Sequence, residues 1–207
     1  MSPAARAAAP AATDRRVRIL DAAERIFAEH GYDGATLRQV ASTAGVQLSL
    51  LGYHFPSKLA LYSAVFERRQ YVNEQRLERL ETLGDPRAPD ALDRLVAAFM
   101  DPVMALREQG TWYRRLVLRE AADPSSPRRP IIRELFDPMA RRFIAALREV
   151  RPGRPEGWYE WSYLFAVGAL TQSASDDRLA NLTEHPAAAT PNDELLRGFV
   201  TAAWRHG

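Results

Sequence analysis

The chain is 207 residues long, 46% hydrophobic and 26% charged, a balance that excludes a disordered or fibrous protein and supplies the apolar side chains of a buried core. Its 28 Lys and Arg against 26 Asp and Glu leave a net charge of only +2, so a case for a nucleic-acid partner has to rest on local pattern, not on bulk charge. Cysteine is absent, which excludes disulfides, thiolate metal sites and a cysteine nucleophile, and a reducing cytoplasm is the expected location.

In chain order, residues 1–12 are rich in Ala and Pro, lack the continuous apolar stretch of a secretion signal and are predicted to form a flexible tail. Thr13 is a candidate N-cap for a helix running to His30, with Val17, Leu20 and Phe27 on one side and Ile19, Ala23 and Ile26 widening the stripe. Gly31 ends that pattern. Thr36 begins a second helix of about two to three turns, where Leu37, Val40, Ala41 and Ala44 recur at helical spacing until Gly45. A third short segment spans Gln47 to His54. After Pro56-Ser57 a long helical pattern runs from Lys58 through the charged stretch Arg68 to Glu81 and ends near Gly84-Asp85-Pro86.

These breaks place a head over residues 13–58 and a connecting helix plus body over residues 59–207. The body reads as helices over Ala91 to Gln109, Tyr113 to Ala122, Pro130 to Val150, Glu156 to Asp177 and Asn192 to His206, with loops at Asp123 to Arg129 and Glu184 to Pro191. Strand alternation and internal repeats are lacking, so the predicted class is all-α. No apolar run is long enough to span a bilayer.

The second and third helices have the pattern of a helix-turn-helix. Two helices crossing steeply need a small residue at the crossing and a turn residue that tolerates left-handed geometry, and Ala41 and Gly45 meet those demands. Val40, Ala44, Val46 and Leu51 supply the apolar contacts to a supporting helix that carries Phe27.

Over residues 15 to 70 the sequence resembles the tetracycline-repressor family. The resemblance rests on an ordered succession: Ile19-Leu-Asp-Ala-Ala-Glu24, Phe27, Gly31-Tyr32, Thr36-Leu37-Arg38, Val40-Ala41, Ala44-Gly45-Val46, Tyr53-His54-Phe55-Pro56-Ser57-Lys58 and Leu61-Tyr62. It implies a three-helix DNA-binding head, a long connecting helix and a helical body that binds an effector and dimerises. It also implies phosphate contacts from Thr36, Arg38, Tyr53, His54 and Lys58, in keeping with the free N–H groups of helix N-termini and nearby cations. Gln47, Leu48, Ser49 and Gly52 would face the major groove, Gln47 toward adenine and Leu48 toward a thymine methyl. Gln47 stands where a Ser or Thr cap is common in the family, and Gly52 where relatives often carry an aromatic or Asn. The residues by themselves leave Tyr53 and Phe55 open between core packing and DNA contact, His54 between a structural or exposed histidine and a DNA contact, and Lys58 between a phosphate contact and solvent.

In the body, Phe99, Met100, Met104, Trp112, Tyr113, Phe136, Met139, Trp161 and Phe165 are candidate ligand-binding residues, each with packing as the competing reading. Arg119 is a candidate contact for an anionic effector and Glu120 a candidate brace for a neighbouring helix, with an internal ion pair or solvent exposure as the alternatives. The last two long helices are the implied homodimer interface. The four histidines, His30, His54, His185 and His206, have no metal-ligand spacing, and neither a Gly-rich phosphate loop nor a nucleophile elbow occurs. The expectation is therefore a non-enzymatic repressor without cofactor or metal, binding a palindromic operator as a dimer and released by a small molecule.

Overall fold

A computed structural model of the protein describes residues 3–106, 110–173, 181, 182, 184 and 193–207, with side chains from residue 14 onward. All regular structure among them is helical. The chain divides into two compact units, Met1–Arg69 and Gln70–Gly207.

The head holds α1 (Pro3–Gly34), α2 (Leu37–Ala44), α3 (Leu48–His54) and α4 (Lys58–Glu67). Helix α1 is interrupted at Gly31, whose φ of 73° is open to glycine and strained for other residues, as the sequence led one to expect. At its other end the helix begins at Pro3, so the stretch expected as a tail through residue 12 is helical from there on. The core of the unit is Ile19, Leu20, Ala23 and Phe27 of α1 against Val40 and Ala41, Leu51, and Leu61 and Val65 of the three following helices. Each fully buried large side chain contributes roughly 1.5–3 kcal/mol. Tyr62 joins this core through edge-on contacts with Phe27, Tyr32 and Phe66 at 4.7, 4.9 and 5.1 Å.

Two differences from the sequence reading concern α4. Its apolar positions Leu61, Tyr62, Val65 and Phe66 are buried in the head, which therefore extends beyond residue 58 to Arg69. The expected single helix from Lys58 to about Leu83 is instead two, α4 and α5 (Gln70–Glu81), separated at Arg68-Arg69. There the Arg69 N–H bonds the Phe66 carbonyl at 3.0 Å, tightening the last turn. Both guanidiniums reach back to the buried Glu24 of α1: Arg68 Nη2 at 2.7 Å, and Arg69 Nε and Nη2 at 3.0 Å.

The body comprises α5, α6 (Ala91–Met104), α7 (Thr111–Ala122), a 3-10 turn (Ser126–Arg128), a π-helical turn (Ile132–Phe136), α8 (Asp137–Val150), α9 (Trp158–Gln172) and α10 (Asp193–His206). Phe99 of α6 is its centre, with Phe143, Tyr163 and Trp204 rings at 5.7, 5.7 and 5.4 Å. Trp204 satisfies its indole N–H on the Ser162 carbonyl at 3.1 Å, which ties α10 to α9. The expected helix from Pro130 starts as a π turn for a local reason. Pro138 has no N–H to return to Glu134, and the Asp137 N–H reaches the carbonyl of Ile132, five residues back. The expected helix ends at Gln109 and Asp177, the start at Asn192, and most of the loop from Glu184 to Pro191 lie outside the described residues.

Candidate functional site

The turn between α2 and α3 is fixed by backbone geometry. Gly45 adopts φ 63°, ψ 39°, and the Val46 and Gly45 N–H groups bond the Ala41 and Ser42 carbonyls at 3.0 and 3.2 Å. Ala41, whose carbonyl anchors the turn, is itself buried. At the start of α2, Thr36 Oγ1 accepts from the Gln39 N–H at 3.2 Å while Gln39 Oε1 accepts from the Thr36 N–H at 2.8 Å, a reciprocal capping box.

Helix α3 is anchored by a single buried residue, Leu51. Gln47, Leu48, Ser49, Gly52 and Tyr53 are all exposed, and Tyr53 has 83% of its surface in solvent. The candidate base-reading residues thus share one solvent-facing side of a short helix. Gln47 occupies the N-cap without a side-chain bond to the helix, so its amide is uncommitted to capping. His54 is half-buried and meets the Tyr53 ring edge-on at 5.4 Å; Phe55 is buried. Ser57 caps α4, accepting from the Ala60 N–H at 3.0 Å. Lys58 folds onto the head: Nζ donates to the Asp33 carbonyl at 3.2 Å and lies 4.8 Å from the centre of the Tyr32 ring. Burial lowers the Lys58 pKa, with the Asp33 charge working in the opposite direction. Arg38 is exposed on the first turn of α2.

The body contains a second feature, a cavity of about 150 Å³ between α5, the end of α6, α7, the π turn, α8 and α9. Its wall is mostly apolar, with Val103, Val117, Phe136, Met139 and Leu170, and carries polar groups from Asn73, Arg76, Tyr113 and Tyr163. Among the described residues no helix is long and apolar enough to cross a membrane, and no His, Asp or Glu cluster has the makings of a metal site.

Residues 19–65 match the bacterial regulatory proteins of the tetR family, and residues 97–203 match the tetracyclin repressor-like C-terminal domain. The chain belongs to the tetracycline-repressor family. It is 31% identical over 146 residues to the HTH-type transcriptional regulator SrpR of Pseudomonas putida, a match covering 70% of this chain and 63% of that protein. It is 34% identical over 121 residues to the uncharacterized HTH-type transcriptional regulator TtgW of Pseudomonas putida, covering 58% of this chain and 85% of that one. The hemolysin II transcriptional regulator HlyIIR shares its fold, with a TM-score of 0.64 and 18% identity over 93% of this chain and 97% of that one. This TetR-family protein is a transcription regulator with a helix-turn-helix DNA-binding head.

The sequence-predicted residues of this TetR-family regulator fall into groups. Of the DNA-binding set, Arg38, Gln47, Leu48, Ser49, Gly52 and Tyr53 are exposed in the head, whereas Thr36 is engaged as a cap and Lys58 in contacts with Tyr32 and Asp33. Of the ligand-binding set, the cavity gathers Tyr113, Phe136 and Met139. Phe99 and Met100 are fully buried core residues, Met104 and Trp112 are half-buried, and Arg119 is exposed. Trp161 and Phe165 lie on the solvent face of α9. Glu120 is wholly buried and forms the internal ion pair, its carboxylate gripped by Arg129 Nε and Nη2 and by Ser126 Oγ at 2.9 Å.

Three residues were not singled out from the sequence. Arg16 of α1 lies over the Phe55 ring at 5.3 Å, bringing a cation beside the end of α3. Gln39 completes the capping box, and its signal, Thr-x-x-Gln before an apolar run, was present in the chain. Arg76 sits in an ordinary-looking charged stretch, and only tertiary packing reveals that it is buried.

Proposed function

We propose that the protein is a repressor that binds a palindromic operator as a homodimer and releases it when a small molecule occupies the body. The observation that carries the DNA half of this reading is α3: a helix held by Leu51 alone, offering Gln47, Leu48, Ser49 and Gly52 together to solvent. A helix this short reads few base pairs, and a two-fold pair of them reads two half-sites, which is what makes an operator distinguishable within a genome. Tyr53, Arg38 and Arg16 are the side chains that the geometry favours for phosphate contact.

The dimer half is supported by exposed apolar residues on the last two long helices. Trp161, Leu164 and Phe165 of α9 and Leu195 and Phe199 of α10 recur at helical spacing and are all exposed, and Gly168 and Gly198 lie on the same faces with nothing within 4 Å of where a side chain would begin. The cavity is the proposed effector site, and control requires that the effector bind the DNA-competent and DNA-incompetent forms unequally. Such a regulator works in the cytoplasm, where the chromosome is.

Enrichment of bound duplexes from a random DNA pool by the purified protein tests the reading. The expected product is an inverted repeat whose half-site centres lie about 34–36 Å apart, or a multiple of that. Retention of no duplex at low salt, where even sequence-independent binding is strong, would falsify it.

A further inference from the structure

We propose that the effector is a compact organic carboxylate and that Arg76 is its counter-ion. The inference rests on the effector reading of the cavity and adds the chemical class of what enters it. Arg76, on α5, has 5% of its surface exposed and lines the cavity. The Phe99 and Phe143 ring centres lie 4.5 and 5.3 Å from its guanidinium carbon and 5.7 Å from each other, so both rings meet it from one side. Ring contacts of this kind attract the cation but offer its N–H groups no lone-pair acceptor. Tyr163 is a hydrogen-bonding neighbour, yet Nε and Nη2 have no hydrogen-bond partner.

Those two nitrogens form the edge of the guanidinium that grips a carboxylate in two-point fashion. The same unit shows the arrangement completed elsewhere: Arg129 sets its Nε and Nη2 against Glu120 at 3.1 and 2.8 Å. For Arg76 no described carboxylate plays that part. Asp137 also lines the cavity, but its side chain is 41% exposed and its carboxylate lies 3.9 Å from Arg141. A second guanidinium, that of Arg114, is in the same wall. Burial lowers the pKa of Arg76, as it must for a cation taken out of water, but a guanidinium stays protonated near neutral pH. An entering anion is then the group that relieves the buried charge.

The apolar lining fixes the rest of the ligand. A cavity near 150 Å³ has room for a body about the size of one benzene ring. The chemistry that fits is a single carboxylate on a ring or a short alkyl chain, with the carboxylate at Arg76 and the apolar part against Phe136 and Met139.

The test pairs acids with their neutral isosteres, benzoate with benzamide and hexanoate with hexanamide, titrated calorimetrically into the full-length protein. At least one acid is expected to bind ten times more tightly than its amide. Arg76→Met should remove that preference while leaving operator binding intact without ligand and raising the melting temperature of the free protein. Arg76→Lys should keep part of the preference and serves if the Met variant does not fold. Equal binding of acid and amide, or an acid preference that survives Arg76→Met, overturns the proposal. Release of operator by neutral compounds alone overturns it too, yet leaves the effector reading standing; failure of every compound, charged or neutral, to bind or to release operator overturns both.

Discussion

Gly45 and Gly52 flank the turn and the exposed helix of the head, and they are glycine for different reasons. Gly45 is left-handed, and a Cβ there would touch nothing within 4 Å, so the demand is purely conformational. Gly45→Ala is expected to destabilise the protein by about 1–2 kcal/mol in urea unfolding, the penalty of a left-handed non-glycine residue. Gly52 is helical and also open to solvent, so nothing in the free protein requires glycine. Gly52→Ala should therefore stabilise the free protein by roughly 1 kcal/mol. If the backbone of α3 comes close to the bases, the same variant loses operator affinity; stability and affinity then move in opposite directions, which denaturation and a binding titration read separately. The Gly45 requirement was legible because the Ala41 and Gly45 pair sits among the apolar positions Val40, Ala44, Val46 and Leu51 and beside a supporting helix; the pair alone is common. The engagement of Lys58 was not, since its partners Asp33 and Tyr32 come from a different part of the chain.

At the scale of elements, three features depart from a uniform helical pattern, and in each a tertiary or covalent constraint overrides local propensity. The break between α4 and α5 has neither Gly nor Pro to announce it, and the charged run Arg68 to Glu81 has the composition of one solvated helix. Two adjacent arginines drawn to Glu24 mark the boundary instead. The π turn before α8 follows from Pro138, a signal that was in the sequence but has several structural outcomes. The loop after α7 is organised by Glu120, whose side chain is inaccessible, and by Arg129. Burial works against the Arg129 charge, but hydrogen bonds and attraction from Glu120 and Asp123 outweigh it and raise its pKa. Glu120→Ala would leave that buried guanidinium with Asp123 as its carboxylate partner and is expected to destabilise the body by about 1–3 kcal/mol. Glu120→Gln, which keeps an acceptor, should lose less. Chemical denaturation of both variants checks the order; a near-neutral Glu120→Ala would mean that water reaches Arg129 freely.

For the whole molecule, the all-α class was readable because periodic apolar positions survive in the long segments, whereas the cavity was not. A helical stripe reports that a side chain is covered but not whether protein or ligand covers it, which is why Phe99 and Met100 carried the same signal as Phe136 and Met139. The same ambiguity applied to Trp161 and Phe165, candidates for the cavity that instead face solvent on α9, 60% and 66% exposed. That exposure gives the dimer proposal a sharp test. Burying such rings against a second copy removes apolar surface from water at about 25 cal/mol per Å², while a charge placed there must be desolvated without a partner. The double variant Phe165→Asp/Phe199→Asp is thus expected to sediment as a monomer at micromolar concentration with its helical circular dichroism unchanged. Each half-site then binds alone, so the specificity of a full operator, typically 10³–10⁷ over other DNA, should fall to about its square root. Weak binding with the steep salt dependence of phosphate contacts would remain, because the head is untouched. A variant that stays dimeric would place the interface elsewhere, and a monomer that keeps full operator affinity would mean that one head reads the site unaided.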